Sequence, residues 1–185
     1  MEPPVELSGY FPGALGAVTE LHGRYYHRHW GFDVFFEAKV ATELAEFLGR
    51  LNPRRDGFWV ARIGGRTAGS IAIDGAQAAE AGARLRWFIL DEEWRGRGVG
   101  KRLLAEAIGF CRQAGFRRVH LWTFAGLDAA RHLYEQHGFR LREEHPDTQW
   151  GKTVTEQRFE WTPDADSPRT PPNSRARPPA LGDER

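Results

Sequence analysis

Residues 91–104 read DEEWRGRGVGKRLL. Gly96, Gly98 and Gly100, together with Arg95, Arg97, Lys101 and Arg102, stand between an apolar run and a stretch of helical periodicity. A strand that ends in a glycine-rich turn and passes into a helix points several backbone N–H groups at one spot, where the helix dipole adds partial positive charge. Glycine lets the backbone approach an anion unobstructed, and the four cations add charge from the rim. The stretch reads as a phosphate cradle. Its spacing rejects two nucleotide loops. The dinucleotide fingerprint needs G-x-G-x-x-G where this chain has G-x-G-x-G, and a Walker loop needs glycine at the place of Arg95 and Ser or Thr at the place of Arg102. Arginine-glycine segments that bind nucleic acid are long and unstructured, whereas this one is short and wedged between a strand and a helix.

Outward from the cradle, RLRWFIL forms the preceding strand, and its apolar end predicts burial on both faces. Following it, Val99, Leu103, Leu104, Ala107, Ile108 and Cys111 trace one helical face that stops near Gly115. Upstream, Val5–Tyr10 is extended, and Leu15, Val18, Leu21 and Tyr25 recur at helical spacing. Asp33 caps a second helix carrying Phe36, Val40, Leu44 and Leu48, which ends before Asn52-Pro53. FWVARI and AGSIAID flank Gly64-Gly65 as a hairpin. Downstream, RVHLWTF is a strand, Asp128 caps a helix through His137, and RLREEH and TVTEQRFEW are the last strands. The predicted architecture is α/β, a mixed central sheet flanked by helices, over residues 1–161. Residues 162–185, dense in Pro, Arg, Ser and Asp, form a disordered tail.

The 185 residues favour one domain with a core of its own. A formal net charge of +1 leaves no global field toward nucleic acid or an anionic membrane, so the anion site is local. The single cysteine, Cys111, excludes an internal disulfide and reads as a small buried hydrophobe rather than a nucleophile. No apolar stretch approaches the ~20 residues of a membrane span and the start lacks the pattern of a leader peptide, which predicts a cytoplasmic protein. His132 and His137 stand five apart, and His27 and His29 lack nearby cysteines, so no metal site is expected.

Arg95, Gly98 and Gly100 spell R-x-x-G-x-G, and AARHLYEQHGF, residues 129–139, matches A-x-x-x-Y-x-x-x-G-F at the expected distance beyond it. With these two motifs and this element order, the chain resembles the GNAT family of acyl-CoA N-acyltransferases, firmly from Leu85 to Trp161. It is also similar, through LWTFAGLDAARHLYE and the HG…YY…WGFD…FE pattern of residues 22–37, to the acetyltransferase half of proteins that fuse a MarR-type DNA-binding domain to such a module. No winged-helix region is expected here.

The resemblance implies transfer of an acetyl group from acetyl-CoA directly to a primary amine of a small molecule or protein. Phe88, Ile89 and Leu90 would offer backbone hydrogen bonds to the pantetheine arm and thioester carbonyl. Arg95, Gly96, Arg97, Gly98, Val99, Gly100 and Lys101 would hold the pyrophosphate, and Tyr134 would be the general acid toward the departing thiolate. It implies neither metal, nucleic acid nor membrane, and a homodimer is compatible with it. Two departures stand out. Leu127 replaces an Asn that many relatives use on the coenzyme arm, and Trp122 stands where a catalytic Glu often does. The base is therefore open among Glu37, His29, His145, Glu92, Glu93 and an ordered-water relay. It is dispensable if the acceptor is a weakly basic arylamine. A non-catalytic acyl-CoA-binding sensor is the alternative reading. The aromatics of RYYHRHWGFDVFFEAK read first as core beneath the two early helices, and second as an acceptor wall.

Overall fold

Turn residues and caps set the elements in the computed structural model, which describes residues 3–148 and 152–163. Strand β1 (Val5–Ser8) leads to helix α1 (Ala14–Trp30), which ends at Gly31 in the left-handed conformation, its N–H donating to the His27 carbonyl at 2.9 Å. Helix α2 (Val34–Gly49) starts at Asp33, whose carboxylate accepts from the Phe35 amide at 3.1 Å, the predicted cap. Strands β2 (Gly57–Ile63) and β3 (Arg66–Asp74) turn through Gly64 and Gly65 at φ 56° and 81°, the two positive values that a tight primed hairpin needs. Then come β4 (Ala83–Leu90), a 3-10 turn (Glu92–Trp94), α3 (Val99–Gln113), β5 (Val119–Phe124), α4 (Asp128–Gln136), β6 (Arg140–Asp147) and β7 (Val154–Trp161). The sequence reading placed every one of these strands and helices.

The seven strands form one mixed sheet in the order β1-β2-β3-β4-β5-β7-β6, antiparallel except for β4 beside β5. Two apolar clusters cover its faces. On one, Leu103, Leu104, Ala107 and Cys111 of α3 and Tyr134 of α4 pack on Leu85, Leu121, Phe159 and Trp161. On the other, Val18 of α1 and Phe36, Val40, Leu44 and Phe47 of α2 pack on Val60, Ala72, Trp87 and Phe124. Cys111 is fully buried, and burial pushes its thiol up to about 12, which fits a core residue.

Two expectations change. The apolar end of β4 is not buried on both faces: Phe88 and Leu90 are only half-buried because they border an open cleft. Asp128 is the first residue of α4 rather than its cap; Leu127 takes the cap position, no side chain bonds the helix end there, and the Asp128 carboxylate sits beside the positive end of the helix dipole. The expected disordered tail lies outside the described residues from 164 onward, as does Trp150.

His22 on α1 is buried, its Nδ1 pairs with the Val18 carbonyl at 2.8 Å, and burial lowers its pKa from 6.5 to about 4. The unfolded chain therefore takes up a proton near pH 6.5 that the folded one refuses until about pH 4. Stability is full above about pH 6.5 and falls as the pH drops toward 4, by roughly 3 kcal/mol at most for this residue. His120, also lowered to about 4 by burial and by Arg158 and Arg84, acts in the same window. Urea unfolding from pH 7 to 4 is expected to show this slope, and His22→Leu to remove about half of it; an unchanged slope would contradict the assignment.

Candidate active site

The site begins with a break in strand pairing. Parallel pairing between β4 and β5 covers Ala83 with Val119 and Arg84 with His120, and beyond that the two strands diverge. A bulge sharpens the divergence: between Ser70 and Ala72 of β3 one residue faces two on β4, and Trp87 takes φ 47°, a left-handed value that is costly for a bulky side chain. The fully buried Ser70 hydroxyl donates to the Trp87 carbonyl at 2.8 Å and holds the bulge. Gly69 leaves room for it, since a Cβ there would lie 2.6 Å from the Ile89 carbonyl oxygen. The bulge also switches faces: Trp87 joins the cluster under α1 and α2, whereas Phe88 and Leu90 turn toward α3 and α4.

The divergence opens a cleft of about 580 Å³, within the ordinary range for a ligand site. One wall is the end of β4, Phe88 to Leu90; the facing wall is Leu127, Ala130, Leu133 and Tyr134 around α4; Tyr25 and Tyr26 of α1 close a third side. The glycine loop forms its mouth. Gly96 and Gly98 have φ 73° and 77°, and a Cβ at either would meet nothing within 4 Å, so open space lies beside the backbone. The first bond of α3 runs from the Arg102 amide to the Gly98 carbonyl at 3.0 Å, which leaves the amides of the preceding turn without partners inside the helix. Unpaired amides at a helix N-terminus suit an anion.

Of the residues singled out in the sequence, Phe88, Ile89, Leu90, Arg95, Gly96, Gly98, Val99, Gly100, Lys101 and Tyr134 line this cleft together. Arg97 does not; its guanidinium lies over the Trp94 ring, 4.9 Å from the centroid. Arg102, expected on the rim, instead donates to the Val5 carbonyl at 2.7 Å and ties α3 to β1. Tyr134 is buried among Phe88, Phe139 and Phe159, and burial, with Tyr26 nearby, pushes its phenol well above the usual value, so it holds its proton at any physiological pH. Leu127 contributes only apolar surface.

The candidate bases sort differently. Glu92 binds His29 at 2.8 Å and Arg28 at 2.7 Å, and Glu93 binds Arg66 at 2.9 Å, so these acids fasten the loop to α1 and β3. Glu37 is exposed beside Gly23. His145 stands edge-on to Trp122 and lines a second, polar cavity on the α2 side of the sheet. Into that cavity also points Glu156, which is among the fully buried side chains and which the sequence reading passed over. One signal was available: in TVTEQRFEW, Glu156 falls on the same face as Val154, opposite Phe159 and Trp161. The aromatics on and between α1 and α2 are mainly core, as first read, with some also at the cleft. Phe32 and Phe36 are core, while Tyr26 packs on both of them and also lines the cleft.

Residues 16–139 match the model of the acetyltransferase (GNAT) family. The chain belongs to that family. It is 28% identical over 124 residues to an uncharacterised N-acetyltransferase of Methanocaldococcus jannaschii, covering 64% of this chain and 54% of that protein. It is 30% identical over 118 residues to human N-acetylaspartate synthetase, covering 63% and 39% respectively. The chain thus spans about half or less of the length of these relatives. Among solved structures, a GNAT acetyltransferase from Staphylococcus aureus superposes with a TM-score of 0.69 at 16% identity, over 86% of this chain and 99% of that one. A Salmonella typhimurium protein described as an acetyltransferase with its cofactor acetyl-CoA superposes at 0.66 and 15% identity, over 92% and 99%. At these identities the likeness establishes the shared fold.

Two predictions test the geometry. Ser70→Ala leaves the Trp87 carbonyl without its donor and costs about 1–3 kcal/mol in chemical denaturation; a loss within error would remove Ser70 from the bulge's support. Gly98→Val forces a β-branched residue into the left-handed region, at roughly 1–2 kcal/mol, and fills the mouth of the cleft. Calorimetry is expected to show at least about tenfold weaker acetyl-CoA binding, with Gly109→Ala on the same helix as an unaffected control.

Proposed function

We propose that the chain is an acyl-CoA-dependent N-acyltransferase that moves an acetyl group from acetyl-CoA directly to a primary amine, working in the cytoplasm. One observation carries the reading: the cleft between the diverging strands has at its mouth the glycine-loop amides that precede the first bond of α3, and a buried, protonated phenol in its wall. Family membership supports it. So does the name of one relative, N-acetylaspartate synthetase, which speaks for a small amine acceptor.

The residues present fit acetyl-CoA as the second substrate, which supplies the activated acyl group. The amides of Gly96 to Lys101, with the Arg95 and Lys101 charges, suit a pyrophosphate, while the apolar faces of Phe88, Leu90 and Leu133 suit the slender pantetheine arm. The edge of β4 past Arg84, unpaired by β5, offers main-chain groups to a thioester carbonyl as negative charge builds on its oxygen. Positioning accounts for much of the rate, since aligning amine and acyl carbon removes about 7–11 kcal/mol in well-oriented reactions. Tyr134, protonated throughout, donates to the sulfur as it leaves. Cys111 takes no part: it is buried in the core and absent from the cleft wall.

Tyr134→Phe keeps the ring packing and removes the proton. It is expected to lower kcat by about a hundredfold with acetyl-CoA affinity close to wild type, measured by thiol release and calorimetry; unchanged kcat where chemistry limits turnover would remove Tyr134 as the acid. Tight acetyl-CoA binding without thiol release from any amine would mark the sensor instead.

A further inference from the structure

Two more cavities lie near the cleft, the first sharing residues with its walls and the second with those of the first. A waist of about 100 Å³ shares Tyr26 and Thr123 with the cleft, and a polar chamber of about 660 Å³ shares Arg84, Arg86, Trp122 and Glu156 with the waist. The three cavities thus adjoin in series through shared walls. Strand register explains the lining. Arg84 and Arg86 on β4, His120 and Trp122 on β5, and Glu156 on β7 alternate with residues of the α3-side core, so their side chains share the α2 side of the sheet.

The chamber's charges are unevenly committed. Arg86 pairs with Glu43 and lies 3.7 Å from Asp74, and Arg50 pairs with Asp74 at 2.5 Å. Arg84 makes no ion pair among the described residues, although it lines both chamber and waist and crowds Arg86 enough to help lower its pKa, after burial. The Nδ1 of His120 is buried with no hydrogen-bond partner among the described residues. Glu156 brings a buried carboxylate to the place where chamber and waist meet. An uncommitted guanidinium suits an anion, and a buried carboxylate suits an ammonium group. With Arg50 and Arg86 already held by Asp74 and Glu43, Arg84 offers a single positive charge, which one carboxylate balances and a phosphate dianion exceeds.

We propose, resting on the acyl-transfer reading above, that the acceptor is a small primary amine that also carries a carboxylate, held in this chamber with the carboxylate on Arg84 and the amine toward Glu156. The acceptor arrives as an ammonium ion, which has no lone pair to attack with. Glu156 takes one proton from it. The freed nitrogen forms a bond to the acyl carbon, the carbon–sulfur bond breaks, and the sulfur takes the Tyr134 proton, which the second N–H proton of the new amide nitrogen replaces. The amide and the free thiol leave, and the proton on Glu156 passes to water.

The test uses the full chain, saturating acetyl-CoA and thiol release, comparing amino acids with their carboxamides and with the corresponding decarboxylated amines. Acids are expected to exceed both counterparts in kcat/KM by about tenfold or more. Arg84→Gln is expected to bring that ratio toward one by raising the KM of the acids, with acetyl-CoA affinity by calorimetry unchanged, which also reports that the variant folds. Glu156→Gln is expected to lower kcat by about a hundredfold; should that buried substitution fail to fold, the Arg84 comparison decides. Equal use of acids, amides and simple amines, or a preference that survives Arg84→Gln, overturns the proposal while leaving acyl transfer intact. Acetyl-CoA binding with no thiol release from any amine overturns both.

Discussion

The architecture depends on two parallel strands that pair for two residues and then part. A sheet normally closes its ladder, because unpaired backbone groups that are shut away from water cost free energy. Here β4 and β5 forgo that pairing beyond Arg84 and His120, and the bulge at Trp87 locks the parting in place. The strained backbone of Trp87 persists because its surroundings over-determine it: Ser70 holds its carbonyl, Gly69 clears a space, and the ring packs at a tilt on Phe47, with centroids 5.2 Å apart. Core packing thus supports a local geometry that no local preference favours.

From that split the chemistry divides by face. The α3 side supplies amides, apolar surface and a phenol, which suit a long, phosphorylated thioester. The α2 side supplies an ion-pair lattice, a spare guanidinium and a buried carboxylate, which suit something small and charged. On the proposed reading, two substrates entering from opposite faces would meet at the gap in the sheet without competing for one mouth. The acid turn Glu92–Glu93 serves this arrangement indirectly, since its bonds to Arg28, His29 and Arg66 pin the glycine loop against α1 and β3.

Much of this was legible in residue order. The glycine spacing at 96, 98 and 100, the cap at Asp33 and the Gly64-Gly65 turn are local signals, and local rules place their elements correctly. The cleft-lining residues were also legible, because main-chain contacts depend on where a strand ends more than on which side chains it bears. What escaped was long-range. Nothing in RLRWFIL says that β5 will leave it after two residues, so Phe88 and Leu90 looked like core on both sides. Arg102 reads as part of the cradle until β1 folds beneath it. Glu156 lies far in sequence from the glycine loop, on the last strand, and its place behind the cleft exists only once β7 inserts between β5 and β6.

The central claim is that loop amides at the start of α3, together with the free edge of β4, receive an acyl-CoA. Amide resonances followed by NMR while acetyl-CoA is titrated into the full chain test it most directly. The account predicts saturable shifts concentrated at residues 88–90 and 96–101, with the amides of the β2–β3 hairpin unmoved. Shifts absent from those two segments, or scattered evenly over the basic surface, would contradict it.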